Sequence, residues 1–468
     1  MAVEVRTQRP IADNEKCNVC AVCIKGCPAE TIPEMRAEES SLRGLLYKQV
    51  KTAPSINVDK IFDVPPCQSA CPIHQDIMGY TKLIAERKYE EALKLIRETN
   101  ALPSVTGYIC SHPCEEECRR NLADEPVPIK TLKRFVTDFD SGKLIPPEIS
   151  HKKWKKVSII GSGPAGLAAG YDLSAIGYQV EIIEALGEPG GMLRWAIPTF
   201  RLPRHVLNRD IEYIEKMGIV IKTGVKLGVD VSLSDLKKGG ADAVIMAIGT
   251  QQGLKPKIEN DEHSMRYTDC LTFLRKYANG ERVDLGDKVV IIGGGNAGID
   301  CARSALRCGA KEVTMIDILD YEEIAADGDE TKEAQAEGVK TNYLTMPTRI
   351  INKDGEIQAL ECVKTKLSEP DELGRRNPLP IRGSEFIINA TSIISATGQR
   401  PDLSWNREGL PFNLSPTNTF ITDDNCLTNV EGVFAAGDAV NGPTKIIEAM
   451  ANGKRVARFV DLYLSNKG

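Results

Sequence analysis

Four cysteines within twelve residues are the first feature of this 468-residue chain that predicts chemistry. The stretch CNVCAVCIKGCP, residues 17–28, contains Cys17, Cys20, Cys23 and Cys27, with a proline directly after the last cysteine. Three closely spaced thiolates followed by a fourth and a proline are the pattern of a bacterial ferredoxin cubane. Zinc is the alternative, but zinc sites normally use two CxxC pairs separated by a loop. The spacing therefore predicts iron–sulfur ligation.

Five more cysteines precede residue 119, in two groups spaced like neighbours on helical turns: Cys67, Cys71, Cys110, Cys114 and Cys118. Two cubanes take about eight ligands, and nine cysteines are available in this region. The count favours two [4Fe–4S] clusters, although one would also be compatible with it. The remaining five cysteines stand singly, and we expect buried small apolar side chains there: Cys270, Cys301, Cys308, Cys362 and Cys426.

A glycine-rich turn predicts a dinucleotide site. GSGPAG lies between the strand-like run VSII and a helical run, and the next strand-like run, YQVEIIEA, contains Glu184 near its end. The first glycine permits the tight turn, the second lets a pyrophosphate approach the backbone, and the third lets the helix pack on the strand. The helix N-terminus then favours the anion. The expected contacts are Gly161, Ser162, Gly163, Pro164, Ala165, Gly166 and Glu184.

A second turn of the same kind, GGGNAG, follows the run KVVII, and the strand after it ends in Asp317. A carboxylate at this place bonds the 2′-OH of NAD and repels the 2′-phosphate of NADP. Ile318 and Leu319 offer no cation for such a phosphate, so the sequence favours NAD, with a merely solvated strand end as the alternative for Asp317. The expected contacts are Gly293, Gly295, Asn296, Ala297, Gly298 and Asp317.

The C-terminal run GVFAAGDAVNGPTKIIEAMANGKRVA, residues 432–457, predicts a strand ending in Gly437 and Asp438, then a turn and a helix. We expect Asp438 to bond the ribityl chain of a flavin, with a helix N-cap as the alternative. Two dinucleotide sites in one chain favour a flavin that takes a hydride from a nicotinamide. Residues 190–203 hold no cysteine, whereas disulfide reductases of such a fold carry a redox pair there. Electrons are therefore expected to leave through the clusters.

The elements that must position these sites fall into three parts. Residues 1–150 are Cys-rich and largely helical, and the Pro-, Gly- and charge-rich stretch 138–156 is expected to be a linker. Beyond it, strand-like and helical runs alternate around two copies of a mononucleotide-binding unit. The predicted fold is α/β, with two nested Rossmann-like domains after a helical iron–sulfur domain: an FAD-binding domain at 151–253 and 399–468, and an inserted NAD-binding domain at 254–398.

Composition excludes several classes of function. A net charge of −6 leaves no basic footprint for nucleic acid. No apolar run approaches the ~18 residues of a membrane helix, and the N-terminus lacks the apolar region of an export signal. Cysteines in a chain that is not exported point to metal ligation rather than disulfides. The expected compartment is the cytoplasm.

Taken together, these segments resemble the small (β) subunit of glutamate synthase and its relatives, among them the N-terminal half of dihydropyrimidine dehydrogenase and the large subunit of NADH-dependent ferredoxin:NADP oxidoreductase. The resemblance covers nearly everything after about residue 65. It implies FAD in the outer α/β domain, a nicotinamide in the inserted one, and one or two [4Fe–4S] clusters in the helical domain. Its motifs are CPIHQDIMGY, NALPSVTGYICSHPCEEEC, EPVPIKTLKRFVTDF, GSGPAGLAAG, GGMLRWAIPTFRLP, GGGNAGIDCARSALRCGA, ELGRRNPLPIRGSEF and GVFAAGDAVNGPTK. On them, the expected FAD contacts also include Gly191, Met192, Leu193, Gly437 and Thr444.

The chain departs from the family pattern around the clusters. A CxxC that normally precedes the position of Cys67 is replaced by Asp59 and Phe62, and a Gln or Glu ligand of relatives appears as Lys133. Our hypothesis is that the ferredoxin-like run supplies the missing ligands. Cys17, Cys20 and Cys23 would join Cys118 or Cys67 on one cluster, and Cys27 would join Cys71, Cys110 and Cys114 on the other.

These observations predict an NAD-linked FAD/iron–sulfur electron-transfer subunit of a hetero-oligomeric complex, in which no side chain need act as a catalytic acid or base. It would exchange a hydride with NAD(H) and pass single electrons to or from a catalytic partner subunit or ferredoxin. Expected partners are an aldehyde oxidoreductase, an aromatic-ring reductase or a ferredoxin-coupled complex. The alternatives are a glutamate synthase small subunit proper, and a non-catalytic docking subunit whose cysteine domain is stapled by a metal.

Overall fold

The computed structural model describes most of the chain from residue 64 onwards, together with a short hairpin near the N-terminus. The described residues are 3–6, 9–12, 64–149, 151–324, 326, 328–369 and 376–466. In the hairpin, Val3–Arg6 (β1) and Arg9–Ala12 (β2) pair antiparallel. The cysteine run at 17–27 lies outside the described residues, as do Asp59 and Phe62.

Short helices form the first part, as the sequence predicts. Their bounds are Pro66–Ala70 (α1), Ile77–Ala85 (α2), Tyr89–Arg97 (α3), Pro103–Ile109 (α4), Pro113–Glu116 (α5) and Ile129–Asp140 (α6). Tyr80 and Ile96 are fully buried in their core, which also contains Cys114. Ile129 and Val136 reach this core from one face of α6, because residues seven apart lie on the same side of a helix. A predicted cluster cysteine is therefore part of the packing of this helical unit.

The predicted linker at 138–156 begins too early. Helix α6 continues to Asp140, where Ser141 adopts a left-handed conformation with φ of +54° and donates its N–H to the carbonyl of Thr137. The last turn of α6 is held from outside by Arg209, which donates to the same Thr137 carbonyl at 2.6 Å. Such a distant partner leaves no local signal in the sequence. The described residues between 141 and 155 form no helix or strand.

The first α/β unit contains a five-stranded parallel sheet in the order β18–β6–β3–β4–β5. Side chains alternate across it, so that Ile159 faces one helical layer while Ile160 faces the opposite side. The strands are Lys156–Ile160 (β3), Gln179–Ile183 (β4), Val220–Lys222 (β5), Ala241–Met246 (β6) and Val433–Ala435 (β18). The helices are Pro164–Ala175 (α7), Met192–Trp195 (α8), Arg204–Lys216 (α9), Leu233–Lys238 (α10), Asp438–Asn441 (α14) and Ile446–Asn466 (α15).

The second α/β unit also contains a parallel sheet, in the order β11–β10–β9–β16–β8. Val289 and Ile291 pack against the helical layer, whereas Val290 and Ile292 pack against a small antiparallel sheet. The parallel strands are Tyr267–Asp269 (β8), Lys288–Ile292 (β9), Glu312–Ile316 (β10), Lys340–Asn342 (β11) and Ser392–Ser395 (β16). The helices are Cys270–Ala278 (α11), Asn296–Arg307 (α12) and Gly328–Ala336 (α13). The antiparallel strands are Thr345–Lys353 (β12), Glu356–Leu367 (β13), Pro378–Pro380 (β14) and Phe386–Asn389 (β15).

Two extended segments connect the two units. Gln252–Gly253 (β7) leads out of the first unit and Gln399–Arg400 (β17) leads back, and the two pair antiparallel. The chain therefore crosses between the two sheets on one narrow two-stranded ribbon. In the part of the chain that the structure describes, no helix is both long enough and apolar enough to span a membrane.

Candidate functional site

A cavity of about 360 Å³ lies over the first glycine turn, at the carboxyl ends of β3 and β4. This is a common size for a small-molecule site, and none of the described residues that line it is a cysteine. Gly166 and Gly437, which we also expected at this site, are not among its lining residues. The expected FAD contacts that do line it are Gly161, Ser162, Gly163, Pro164, Ala165, Glu184, Gly191, Met192, Leu193, Asp438 and Thr444.

The three glycines of the first turn have three different surroundings. Gly161 has a φ of +102°, and a Cβ there would lie 2.3 Å from the carbonyl oxygen of Ala247. A Cβ on Gly166 would lie 2.0 Å from the carbonyl oxygen of Gly161, so helix α7 packs on its strand only without a side chain. A Cβ on Gly163 would meet nothing within 4 Å. The backbone at Gly163 is thus open to a ligand, as a pyrophosphate site requires.

The second turn repeats this arrangement in the other unit. Gly293 has a φ of +110°, and its Cβ would lie 2.5 Å from the carbonyl oxygen of Ala396. A Cβ on Gly298 would lie 2.0 Å from the carbonyl oxygen of Gly293, while one on Gly295 would meet nothing within 4 Å. Asn296, Ala297 and Gly298 form the first turn of α12, where free N–H groups favour an anion.

Each turn is bound to the acidic residue at the end of the next strand. Glu184 accepts the backbone N–H of Ser162 at 3.0 Å and that of Leu186 at 2.8 Å. Asp317 accepts the N–H of Gly294 at 2.5 Å and that of Leu319 at 2.7 Å. A carboxylate has about four acceptor positions. Both acids are therefore fixed in place by the backbone and keep acceptor capacity for ribose hydroxyls.

Asp438 is the first residue of α14, whose N-cap is Gly437, so the N-cap alternative for Asp438 is wrong. Its carboxylate accepts the backbone N–H of Thr444 at 3.1 Å and the Thr444 hydroxyl at 2.7 Å. Burial raises the pKa of Asp438, while the bonds from Thr444 act in the opposite direction. The carboxylate is thus held at the cavity wall by a residue that also lines it.

Several cavity residues were missed by sequence reasoning. Arg275, on α11 of the second unit, lines the cavity of the first and donates to the backbone carbonyl and side-chain oxygen of Gln251 at 3.0 and 2.6 Å. No local motif contains both residues, which lie 24 positions apart in the chain. The other missed lining residues include Lys226, Asp402, Ser404 and Trp405.

The described cluster cysteines form two groups in the helical part. Cys71, Cys110 and Cys114 are buried and near enough for their charges to interact, and Lys133 is buried beside them. Burial raises the pKa of Cys71, and it raises that of Cys114 to about 12, while Lys133 lowers both. Cys67 and Cys118, whose charges interact, form the other group and are only partly buried, and Cys67 is also near enough to Cys71 for their charges to interact. The neighbouring His112 has a left-handed backbone and donates its N–H to the Cys110 sulfur at 3.4 Å.

The described thiols fit an iron–sulfur cluster. Among the described residues, no three Cys, His, Asp or Glu side chains converge tightly enough to hold one ion. A cubane separates its cysteine ligands further than a single ion does, because each sulfur binds a different iron. The buried thiols of Cys71, Cys110 and Cys114, with a cation and a backbone N–H beside them, suit that chemistry.

Of the five isolated cysteines, Cys308 and Cys426 are only partly buried, so the expectation of burial fails for these two.

The geometry defines a class: an oxidoreductase with two dinucleotide-binding units and a thiol-rich helical domain. The family described as pyridine nucleotide-disulphide oxidoreductase matches residues 155–453. The family described as dihydropyrimidine dehydrogenase domain II, 4Fe-4S cluster, matches residues 62–144. The chain therefore belongs to the pyridine nucleotide-disulphide oxidoreductase family, and it carries a [4Fe–4S] domain ahead of its FAD- and NAD(P)-binding α/β part.

Three curated relatives extend this assignment over nearly the whole chain. The NADPH-Fe(3+) oxidoreductase subunit beta of Geobacter sulfurreducens is 37% identical, over 94% of this chain and 70% of the relative. The NADP(+)-dependent formate dehydrogenase subunit beta of Moorella thermoacetica is 39% identical, over 92% of this chain and 62% of the relative. The glutamate synthase [NADPH] small chain of Escherichia coli is 34% identical, over 84% of this chain and 87% of the relative.

Among solved structures, FprA of Mycobacterium tuberculosis in complex with NADPH superposes with a TM-score of 0.58 at 18% identity, covering 67% of this chain and 85% of FprA. At this identity the similarity shows the fold alone. It confirms the prediction of an α/β fold with Rossmann-like dinucleotide domains. The resemblance to the glutamate synthase small subunit and its relatives is confirmed as well, and with it the electron-transfer class of oxidoreductase.

Proposed function

We propose that the chain is the electron-transfer subunit of a larger complex, linking a nicotinamide to iron–sulfur clusters through FAD. Bound FAD would accept a hydride and release its electrons singly. The observation that supports this proposal best is the packing around Leu193. Leu193 lines the cavity and belongs to the same hydrophobic core as Cys71 and Cys110. A cluster held by these cysteines would therefore border the same continuous apolar core as one wall of the FAD site.

The same proposal assigns FAD and the nicotinamide nucleotide to different parts of the chain. FAD would take the cavity of 151–253 and 399–468, with its pyrophosphate at Gly163 and its ribityl chain at Asp438. The nicotinamide nucleotide would take the turn at Gly295 within 254–398. The pairing of β7 with β17 supports these boundaries, because both predicted junctions fall at that ribbon.

We infer that NAD is preferred to NADP. Asp317 is fixed against the glycine turn by two backbone amides, where it would face the 2′-position of the adenosine ribose. Ile318 beside it is uncharged. All three relatives are named for NADPH or NADP(+), so the inference rests on Asp317 and its surroundings in this chain alone.

We further propose two [4Fe–4S] clusters. Because Cys67 and Cys118 lie together, we assign both to one cluster, which revises our expectation that only one of them would serve. Two cysteines of the run at 17–27 would complete this cluster, and one, Cys27 in our hypothesis, would complete the group of Cys71, Cys110 and Cys114. This leaves one cysteine of the run without a cluster.

The partner would be a catalytic subunit or a ferredoxin. Two relatives are named as beta subunits and a third as a small chain, which supports a hetero-oligomer. The similarity to the glutamate synthase small chain spans 87% of that protein and keeps glutamate synthesis as the second candidate. Copurification with a large subunit that forms glutamate would favour the second candidate over an aldehyde, aromatic-ring or ferredoxin partner.

The decisive measurement is iron and acid-labile sulfide per FAD in anaerobically purified protein. We expect about eight irons per FAD, the content of two cubanes. About four would mean one cluster, and zinc in place of iron would refute the electron-relay proposal. Anaerobic titration with NADH and NADPH, followed by the bleaching of the flavin absorbance, then tests whether a nicotinamide reduces the flavin.

A further inference from the structure

The segment 190–203 contacts both dinucleotide-binding units at once. Gly191, Met192 and Leu193 line the FAD cavity of the first unit. Ala196, four residues after Met192, is buried in the helical core of the second unit, and Met192 packs against the same core. One short stretch of chain therefore forms a wall of the flavin site and a contact surface for the nicotinamide unit.

At the end of this segment, Arg201 forms ion pairs with two carboxylates of the second unit. Its Nη1 lies 2.9 and 2.7 Å from the two oxygens of Asp300, and its Nη2 contacts Glu330. The Arg201 side chain is only 10% exposed and that of Asp300 only 6%. Asp300 lies on α12, one turn after Asn296, and Glu330 lies in the first turn of α13. The guanidinium therefore ties the first unit to the helix that opens the predicted nicotinamide site.

The preceding residue adds a second contact with the same helix. The ring of Phe200 lies under the guanidinium groups of Arg303 and Arg307 on α12, 4.8 and 3.9 Å from its centre. Both arginines are held in turn by Glu337, which accepts from them at 2.7 to 3.2 Å. Phe200 and Arg201 together contact α12 over more than one helical turn.

We propose that Arg201 is a positioning residue, which sets the distance between the nicotinamide and the flavin by clamping α12 to the wall of the FAD cavity. This rests on the proposed function. A buried carboxylate such as Asp300 needs its cation, and a planar guanidinium fixes both the distance and the plane of approach. Hydride transfer is sensitive to this geometry, since a misplacement of about 1 Å can cost about a hundredfold in rate.

The test compares Arg201→Gln and Asp300→Asn with wild-type holoenzyme in anaerobic stopped-flow reduction by NADH. We expect the limiting rate of flavin reduction to fall about tenfold or more, with the Kd for NADH changed by no more than about threefold. The long-wavelength charge-transfer absorbance between nicotinamide and flavin should fall as well, which a merely stabilising ion pair would not cause. Arg201→Lys keeps the charge but has no planar guanidinium to bridge Asp300 and Glu330, so it should give an intermediate rate.

Arg266→Gln is the matched control, because it breaks an exposed ion pair with Asp284 in the same unit and should leave rate and charge-transfer band unchanged. If Arg201→Gln does not fold, the triple variant Arg201→Met, Asp300→Leu and Glu330→Gln replaces it, since it leaves neither carboxylate charged and without its cation. Unchanged rate and absorbance in the variant that folds would overturn the clamp. If wild-type flavin is reduced by neither NADH nor NADPH, the proposed function itself fails, and the positioning role fails with it.

Discussion

At the scale of single residues, Glu184 and Asp317 are bound to the backbone in a similar way, but only Asp317 is expected to select between NAD and NADP. Glu184 and Asp317 each accept two backbone N–H groups, one from their glycine turn and one from two residues further on. The surroundings of the two carboxylates differ. Glu184 lines the cavity of the first unit, whereas the residue next to Asp317 is the exposed and uncharged Ile318. We therefore expect the choice between NAD and NADP to depend on Asp317 and on Ile318.

We predict that wild-type enzyme has a higher kcat/KM with NADH than with NADPH. The combined change Asp317→Gly and Ile318→Arg should move the ratio of the two toward NADPH by about tenfold or more, because a like-charge contact with the 2′-phosphate costs several kcal/mol. Steady-state kinetics with both nucleotides measure this ratio. Ile318→Gln serves as the control, since it changes the neighbour without adding charge. A wild-type preference for NADPH would refute the assignment.

At the scale of elements, α12 and the end of α13 are joined by a cluster of opposite charges. Hydrogen bonds from Arg307 and Arg303 outweigh partial burial and hold the pKa of Glu337 at about 2. An unfolded glutamate titrates near 4.3, so the folded state favours the charged form. The resulting stabilisation is present at neutral pH and is lost as pH falls from about 4.5 toward 2.

Glu337→Gln should therefore lower the melting temperature at pH 6 but have progressively less effect toward pH 3. The expected loss at pH 6 is about 1 kcal/mol, because the ion pairs are partly exposed to solvent. Circular dichroism melts of variant and wild type across this pH range give the difference curve. Glu333→Gln is the control, since its side chain is 60% exposed and contacts only one of the two arginines. A difference that grows on acidification would contradict the assigned sign.

Parts of the fold and site that depend on neighbouring residues could be predicted from the sequence, whereas contacts between distant elements could not. Gly161, Gly163 and Gly166 could be assigned because their roles depend on a few neighbouring residues. Arg201 could not, because its partner Asp300 lies 99 residues away and neither residue has a local signature. The linker was predicted to begin too early, at residue 138, for the same reason: the Arg209 that stabilises the last turn of α6 is 72 residues away from Thr137.

At the scale of the whole molecule, the helical domain is joined to the first α/β unit by a buried ion pair. Arg97 on α3 lies 2.8 Å from Asp210 on α9, with side chains 6% and 0% exposed. The other oxygen of Asp210 accepts the N–H of Val105 at 2.9 Å, and the Arg97 guanidinium lies 3.9 Å from the centre of the Tyr213 ring. This junction fixes the thiol groups relative to the FAD cavity, because Val105 and Cys110 share one hydrophobic core with the first sheet.

Removing one member of this pair should therefore loosen the cluster domain as a unit. Asp210→Asn keeps an acceptor for Val105 but leaves Arg97 buried without a counter-charge, which costs about 3–5 kcal/mol. We expect a lower unfolding midpoint, and we expect iron to be released at a lower temperature than FAD. Iron content and flavin fluorescence, both measured during heating, monitor the two releases. Lys94→Gln on the same helix is the matched control, since its pair with Glu90 is exposed and worth about 0–1 kcal/mol. If Asp210→Asn behaved like Lys94→Gln, the buried pair would not hold the two domains together, and the Cys110 group would depend on apolar packing alone for its position relative to the first α/β unit.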